Sequence, residues 1–384
     1  AISEGWWCPE KCHGGCGDDR GSRSRGVNCL NDLLAALNHP ELETEKVYQP
    51  RIRAEDLLRE GTGQDTGDFR EVAGQENAKR GAEIAAAGFH NLLMIGPPGV
   101  GKSMVAGRIP GILPPLTLKE SLEVTGIFSV AGLLPPGQAL ITRRPFYAPH
   151  HTVTQAALIG GGSGIPRPGM VSLAHRGVLF LDELPEFRKN VLDGMRQPME
   201  ERKVQIARSA GMVTYPSDFI LVAAMNPCPC GYYPDRNKCR CTQPQIEKYL
   251  GKISGPILDR IDLCVELHPV DILHLQKTKT EKSSEDMKRQ IRHARERQAE
   301  RFAGTDCRFN GDIRSAQVEE YCPLGEEGQK VMEQLYRTLQ LSARVYHRIL
   351  KTARTIADLE DREEITGEHL LEAACYRPSE TYWN

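Results

Sequence analysis

A glycine-rich loop has residue types suited to holding phosphate groups. Its glycines let consecutive backbone N–H groups turn toward phosphate oxygens, and Lys102 brings a cation to the β and γ phosphates. The Ser103 hydroxyl can ligate Mg²⁺. We therefore predict a site for a nucleoside triphosphate, taken as ATP, with Mg²⁺, formed by Gly96, Pro97, Pro98, Gly99, Val100, Gly101, Lys102, Ser103 and Met104.

A pair of carboxylates has the chemistry that triphosphate hydrolysis requires. Asp182 and Glu183 follow an apolar run, 178–181, and so emerge at the carboxyl end of a buried strand, where ligands of open α/β sheets bind. We assign Asp182 to Mg²⁺ through water and Glu183 to the nucleophilic water. A solvated acidic strand end is the alternative, and the phosphate loop makes it the minority interpretation.

Three further residues are candidates for contacts during phosphoryl transfer. Asn226 ends another apolar strand, where it either contacts the attacking water or γ phosphate or caps a turn, since Asn-Pro is a turn-starting pair. Arg260 and Arg344 are candidates for stabilising the negative charge that spreads over the γ oxygens. For an arbitrary arginine, a surface position or a local ion pair is the more common explanation.

Four cysteines in one short stretch have the composition of a metal site. Cys228, Cys230, Cys239 and Cys241 supply four thiols on two arms separated by a turn, and tetrahedral zinc prefers such ligands. Reduced cysteines without metal are the alternative. A second group, Cys8, Cys12 and Cys16 with His13, is a weaker candidate.

The pattern of apolar runs predicts the elements that position these residues. Short runs at 92–95, 178–181 and 219–224 predict buried strands, and alternation over 204–207 and 212–215 predicts a hairpin. We expect Pro110, Pro114 and Pro115 to end the helix after the phosphate loop, and a single helix at 186–200. Beyond residue 270 the pattern is helical, at 283–302, 326–339 and 342–359. This order predicts a three-layer α/β/α core followed by an all-α lid.

Composition limits the classes of partner. The 384 residues carry 49 basic and 51 acidic side chains, a net charge of -2, so nucleic acid or an acidic membrane would have to be bound by a local patch. The chain lacks the roughly 20 consecutive apolar residues of a membrane span and the layout of a signal peptide. We therefore expect a cytoplasmic protein without a membrane partner.

The order of these motifs resembles the magnesium-chelatase-related AAA+ proteins of the ComM/YifB type. The resemblance rests on four phrases, 96–103, 178–187, 226–231 and 258–263, and covers residues 69–376. It implies that Asp182 and Glu183 are the Walker B pair and Asn226 is sensor 1. It further implies that Arg260 is an arginine finger acting on a neighbouring subunit's nucleotide and Arg344 is sensor 2.

The resemblance also implies partners. Such proteins assemble as hexameric rings, and members of the ComM type are ATP-driven motors that promote branch migration of DNA. We expect DNA phosphates to be contacted by basic residues of a hairpin and of an insert: Lys203, Arg208, Arg143, Arg144 and His150. The alternative is that these residues are solvated charges on loops.

The same resemblance sets the expected domain boundaries. Residues 69–270 form the ATPase core, with a helix-2 insert at 122–162, a hairpin at 204–215 and a cysteine-rich loop at 228–241. Residues 271–384 form the lid, and residues 1–68 are a poorly organised extension. Family members begin with an additional domain, of which we expect only a remnant around 26–40.

Two other functions are compatible with the same ATPase module. One is an ATPase subunit that drives metal insertion into a porphyrin, and the other is an AAA+ remodeller that pulls on protein. The cysteine-containing phrase at 226–231 favours the ComM type over the first. The charged, flexible hairpin tip at 208–211 disfavours the second, which would be expected to carry an aromatic or hydrophobic pore loop.

Overall fold

A computed structural model shows how the chain folds. It describes the backbone of residues 5–9 and 23–27, together with residues 58, 67–136, 138–162, 166–208, 211–270 and 282–377. The chain divides into two compact units, residues 1–64 with 115–144 and residues 65–114 with 145–384. The expected remnant at 26–40 and the side chains of the first cysteine group lie outside what is described.

A five-stranded parallel sheet forms the centre of the larger unit. Its strands are short and apolar, as expected for a parallel sheet covered on both faces. The spatial order is β11-β3-β10-β7-β4. The strands of the chain are β1 (Gly5–Pro9), β2 (Arg23–Val27), β3 (Leu92–Ile95), β4 (Phe146–Tyr147), β5 (Gly160–Gly161), β6 (Arg167–Pro168), β7 (Val178–Leu181), β8 (Lys203–Arg208), β9 (Gly211–Pro216), β10 (Ile220–Met225) and β11 (Leu263–Glu266).

Helices cover both faces of this sheet. Alternate residues of a strand point to opposite faces, so Leu92 and Met94 enter one apolar core while Leu93 and Ile95 enter the other. The helices of the chain are α1 (Glu76–Gly88), α2 (Lys102–Ile112), α3 (Leu118–Ala131), α4 (Gln155–Ile159), α5 (Met170–Leu173), α6 (Lys189–Gly194), α7 (Arg196–Glu201), α8 (Gln243–Leu250), α9 (Gly255–Leu258), α10 (Ser284–Arg301), α11 (Val318–Tyr321), α12 (Glu326–Thr338), α13 (Ala343–Leu359) and α14 (Gly367–Cys375).

The C-terminal helices pack against the sheet domain. Helices α10 and α13 both contact α1, and residues of α13 such as Ile349 and Ile356 lie in the same core as Leu92. Inside this packing, Asp358 is fully buried and accepts from Arg301 Nη2 at 2.6 Å and pairs with Arg354 at 3.1 Å. The predicted fold class, an α/β core with a C-terminal helical domain, is confirmed.

Two local predictions about helices are wrong. The single helix expected at 186–200 is two helices, α6 and α7, that meet at Met195. Pro198 explains the break, because it has no N–H to donate to the carbonyl four residues earlier. Pro110 lies inside α2, which instead ends at Ile112 before Leu113 takes the extended conformation favoured ahead of a proline.

The hairpin β8–β9 is anchored at its base by buried charges. Arg202 immediately precedes β8, and it pairs with Asp218 at 3.4 Å and with Asp312. Asp218 also pairs with Arg176 at 2.6 Å. Burial raises the pKa of Asp218, although the charges of Arg202 and Arg176 act in the opposite direction. These ion pairs connect the base of the hairpin to the sheet domain through Asp218 and to the segment after α10 through Asp312. The paired strands β8 and β9 extend from this base.

In the smaller unit, β1 and β2 form a parallel pair and α3 is a well-capped helix. Thr117 and Glu120 form a capping box at its start, and Gly132 ends it in the left-handed conformation. Within the described part of the chain, no helix has the length and apolar composition that crossing a membrane requires.

Candidate functional site

The phosphate loop lies between β3 and α2, as its sequence predicts. Gly101 caps α2 in the left-handed conformation, with φ of +96°, and Gly99 has φ of +79°. Among the described residues other than the immediate chain neighbours, no heavy atom lies within 4 Å of the position that a Cβ would take at either glycine. The loop is therefore open on this side, and the N-terminal N–H groups of an 11-residue helix face an accessible space suited to an anion.

Lys102 lies at the carboxyl edge of the sheet, where the carboxyl ends of its parallel strands meet. Its Nζ donates to the carbonyl oxygens of Gly96 at 2.6 Å and Pro97 at 2.9 Å, and to Asn226 Oδ1 at 3.0 Å. Burial lowers the pKa of Lys102, and the nearby charges of Asp182 and Glu183 only partly oppose it. The lysine thus joins the loop to the end of β10, where Asn226 was predicted to lie.

Ser103 and Asp182 are in direct contact. The Ser103 hydroxyl donates to Asp182 Oδ2 at 2.8 Å, and the other carboxylate oxygen, Oδ1, accepts from the Glu183 N–H at 2.9 Å. Hydroxyl and carboxylate oxygens are the ligands that Mg²⁺ prefers. These two side chains, which come from α2 and the end of β7, therefore form a donor set that fits the predicted metal.

Glu183 has an unusual backbone conformation. It lies in the left-handed region with φ of 53°, a conformation that is costly for a residue with a side chain and that occurs often at functional sites. The Glu183 carboxylate is within 3.1 Å of His151 Nδ1. His150 is among the residues predicted from the sequence, and His151 is not.

Gln75 is a second residue that sequence analysis missed. Its side-chain amide donates to the Val100 carbonyl at 3.2 Å and to the His268 carbonyl at 2.6 Å, and thereby joins the phosphate loop to the segment after β11. Gln75 also has a positive φ, of 58°. Met104, which was assigned to the nucleotide site, is 46% exposed in the first turn of α2.

Arg260 and Arg344 lie at the opposite edge of the sheet from Lys102. Strand β11 runs parallel to β3 with Leu263 beside Leu92, and Arg260 precedes β11 by three residues. The side chain of Asn91, just before β3, donates to the Arg260 carbonyl at 2.8 Å. Four strand residues, roughly 13 Å, separate this amino edge from the phosphate loop.

Charge is concentrated at the amino edge. Arg260 pairs with Glu200 and donates to the Pro256 carbonyl, and Arg344 pairs with Asp259. The Arg260 Nε is buried without a hydrogen-bond partner. Burial lowers the pKa of Arg260, and the charges of Arg196 and Arg344 lower it further, so these guanidinium groups are close neighbours. The structure thus brings Arg260 and Arg344 together, away from the chain's own phosphate loop.

The four cysteines at 228–241 converge on one point. Their Sγ atoms all lie within 4.8 Å of one another, and Cys228 Sγ is 3.3 Å from Cys230 Sγ and 3.8 Å from Cys239 Sγ. Ligands about 2.3 Å from a tetrahedral zinc ion are separated by roughly 3.8 Å. The arrangement fits a four-thiolate metal site.

The thiols of this cluster differ in acidity. For Cys230, burial acts to raise the pKa, but hydrogen bonds from the Tyr232 backbone and the other three thiols outweigh it and lower the pKa to about 6. Burial raises the pKa of Cys239 to about 12. The loop also touches the phosphate loop, since a Cβ at Gly231 would lie 2.6 Å from Pro98 Cδ.

The residues predicted to contact DNA differ in accessibility. On the hairpin, the Lys203 side chain is 47% exposed, and Arg208 is exposed and donates to the Ala207 carbonyl at 2.8 Å. His150 is exposed, and its ring lies against that of His151 at a tilt of 34°, with ring centroids 4.0 Å apart. Arg143 is exposed. Arg144 is only 10% exposed and pairs with Glu120 at 3.3 Å, so it is poorly placed to bind a phosphate.

Comparisons with known proteins identify relatives of this chain. YifB of Salmonella typhimurium, named an uncharacterized protein, is 46% identical over 81% of this chain and 60% of its own length. YifB of Escherichia coli has the same identity over the same shares. The competence protein ComM of Haemophilus influenzae is 43% identical over 91% of this chain and 66% of its own length. The chain thus spans about 60% of the length of the two YifB relatives.

Two family models match consecutive parts of the chain. The model described as magnesium chelatase, subunit ChlI, matches residues 68–275, which include the sheet and the phosphate loop. The model of the ChlI C-terminal region matches residues 281–377, which include α10 to α14. The resemblance inferred from the motifs is therefore confirmed. This chain belongs to the magnesium chelatase subunit ChlI family of AAA+ proteins and is related to YifB and ComM.

Proposed function

We propose that this protein is an ATP-hydrolysing motor that works on DNA as a homohexameric ring. One observation carries the proposal: the chain places Lys102, Asp182 and Glu183 at one edge of its sheet and Arg260 at the other. A residue at the far edge is too distant to contact a nucleotide in its own subunit. A complete hydrolytic site then requires two subunits, which a ring provides at every interface.

Each side chain at the carboxyl edge has a distinct role in this proposal. Lys102 binds the β and γ phosphates, and Asn226, which already contacts Lys102, orients the γ phosphate or the attacking water. Ser103 and Asp182 would hold Mg²⁺, Asp182 through water, and the ion would neutralise charge on the phosphate oxygens. Glu183 accepts a proton from the attacking water.

The amino edge supplies charge to the neighbouring subunit. Arg260 would stabilise the transition state on the neighbour's γ phosphate, and Arg344 would assist it from beside Asp259. The Arg260 side chain remains 21% exposed, which leaves part of it accessible to a phosphate from the neighbour.

DNA contact is proposed for the hairpin β8–β9. Lys203 and Arg208 are its accessible basic residues among those predicted, and contacts to the DNA backbone need charge but no base recognition. Removing either by alanine substitution should weaken binding to all sequences equally and reduce the slope of log affinity against log salt by about one. Fluorescence anisotropy with single-stranded DNA at several salt concentrations measures this. Arg337→Ala, at an exposed position on α12, is the control and should leave the slope unchanged.

One experiment tests the whole proposal. ATPase rates are measured with no DNA and with single-stranded, duplex and branched DNA, beside the mass of the assembly with nucleotide present. We expect a hexamer whose hydrolysis is stimulated by DNA. Hydrolysis that DNA does not affect would contradict the DNA motor and leave the chelatase-type or remodelling ATPase. A protein that stays monomeric at all concentrations would contradict the shared site.

We also propose that the cysteine cluster binds zinc. The Sγ distances support this, and the four ligands begin two residues after Asn226. Zinc bound there would hold Gly231 against Pro98 and so restrict the movement of the phosphate loop.

Metal analysis of protein purified without chelator tests the zinc site. We expect about one zinc ion per chain, and less in Cys228→Ser and Cys241→Ser, because a structural zinc site uses four ligands. Cys375→Ser is the matched control, since Cys375 is exposed and lies outside the cluster. A zinc content near zero in the unaltered protein would refute this site while leaving the ATPase proposal standing.

A further inference from the structure

The carboxylate assigned to the attacking water is in contact with an imidazole from the turn that follows β4. His151 Nδ1 lies 3.1 Å from Glu183 Oε2. The side chain of Glu183 is 55% exposed, and an exposed glutamate loses considerable rotamer entropy when it is held in one orientation. A partner that fixes the carboxylate would therefore matter for its function.

Strand order explains why these two residues can meet. Strands β4 and β7 are parallel neighbours, with Phe146 beside Val178 and Tyr147 beside Leu179. His151 lies in the turn that follows β4, and Glu183 follows the end of β7 by two residues. Because the carboxyl ends of parallel strands meet at the same edge of a sheet, both residues lie at its carboxyl edge.

His151 is itself held in position. Its ring lies 4.0 Å from that of His150 and makes an edge contact with Phe187 at 6.5 Å between centroids. Phe187 is 4% exposed, and His150 Nδ1 is 2.9 Å from Thr152 Oγ1. On the other side, the left-handed backbone of Glu183 and its N–H bond to Asp182 fix where its side chain begins.

We propose that His151 is a positioning residue for ATP hydrolysis. Its Nδ1, 3.1 Å from Glu183 Oε2, fixes that oxygen and holds the carboxylate at the end of β7, which leaves Oε1 to accept the proton of the attacking water. His151 acts through Glu183 and binds no nucleotide. This inference rests on the proposed hydrolytic function and adds a residue to its machinery.

Kinetics of two variants test this role. His151→Ala should lower kcat about 10- to 100-fold, the cost of a misplaced reacting group, while the KM for ATP stays near the wild-type value. His151→Asn, whose amide can donate from nearly the same place, should recover most of the rate. His293→Ala, on the exposed face of α10, is the matched control and should behave as wild type. Unchanged or faster hydrolysis in His151→Ala, or no recovery in His151→Asn, would overturn the proposal.

A measurement without turnover separates this inference from the proposed function. In protein labelled with ¹⁵N-histidine, the His151 ring resonances, assigned by their loss in His151→Asn, should shift in Glu183→Ala. Resonances of His293 should stay in place. No shift at His151 would overturn the contact even if the protein hydrolyses ATP. Wild-type protein that hydrolyses no ATP would instead refute the proposed function.

Discussion

The two edges of the central sheet differ in what their charged groups contact. At the carboxyl edge, the lysine, serine, two acidic residues and asparagine reach one another within a single chain, through contacts of 2.8 Å for Ser103–Asp182 and 3.0 Å for Lys102–Asn226. At the amino edge, among the described residues, Arg260 pairs with the carboxylate of Glu200 and Arg344 pairs with that of Asp259. One edge gathers the residues proposed to bind the nucleotide, and the other gathers guanidinium groups that are paired with carboxylates.

This difference indicates how the parts of the proposed hydrolytic site are divided between subunits. Clustered guanidinium groups repel one another: burial is the main cause of the lowered pKa of Arg260, and the charges of Arg196 and Arg344 lower it further. Such a cluster is favourable when an anion approaches it, and the γ phosphate of an adjacent subunit is the anion that the proposed ring would bring. The predictions below set the two edges against each other, beginning with the largest expected effect.

The first prediction concerns the amino edge. Arg260→Ala should reduce kcat by about 10³-fold or more, because an arginine finger contributes on that scale, while nucleotide binding persists. Mixing Arg260→Ala protein with Glu183→Gln protein should restore hydrolysis, since some interfaces then carry both functional residues. Steady-state ATPase assays over a range of mixing ratios measure this.

Arg337→Ala is the control for that experiment, since Arg337 is 77% exposed and pairs with Glu333 of its own helix. If mixing restores nothing, Arg260 does not act on a neighbour. The contrast between the two edges would then lose its functional meaning.

The second prediction concerns the carboxyl edge. Glu183→Gln should lower kcat by about 10²- to 10⁴-fold, the contribution of a general base, and leave ATP binding intact. Lys102→Ala should instead weaken ATP binding itself, because it removes the cation next to the phosphates. Binding of a fluorescent ATP analogue, measured beside hydrolysis, distinguishes the two. Normal hydrolysis in Glu183→Gln would exclude Glu183 as the base.

The third and smallest effect is expected at Arg344. Its side chain is 76% exposed, so its pair with Asp259 is screened by solvent and easily exchanged for a phosphate. Arg344→Ala should slow hydrolysis about tenfold, and the loss should be rescued by mixing in the same way as that of Arg260→Ala. A loss that mixing cannot rescue would indicate that Arg344 acts on the nucleotide of its own subunit, unlike Arg260.

The elements that hold the carboxyl-edge residues could be predicted from short stretches of sequence. The apolar runs at Leu92–Ile95 and Val178–Leu181 are strands with the expected bounds, because a buried parallel strand must be apolar on both faces. The helix broken at Met195 could not be placed by periodicity alone, since a proline inside an apolar pattern permits either a kink or a break.

Contacts between strands distant in sequence were the part that sequence reasoning missed. Strand β4 has only two residues, too few for a pattern, and without it the meeting of His151 with Glu183 could not be foreseen. Likewise, no local signal indicates that Arg344 would lie beside Asp259, which is 85 residues away.

By itself, the sequence indicated which residues are candidates for phosphate chemistry, because a glycine-rich loop, a lysine and strand-end carboxylates are local features whose geometry the neighbouring residues impose. Only the tertiary structure decided which of them share an edge of the sheet. The order β11-β3-β10-β7-β4 places Asn226 beside Lys102, and the parallel pairing of β11 with β3 puts Arg260, which precedes β11, at the opposite edge. Strand order arises from packing both faces of the whole sheet, and no segment contains that information alone.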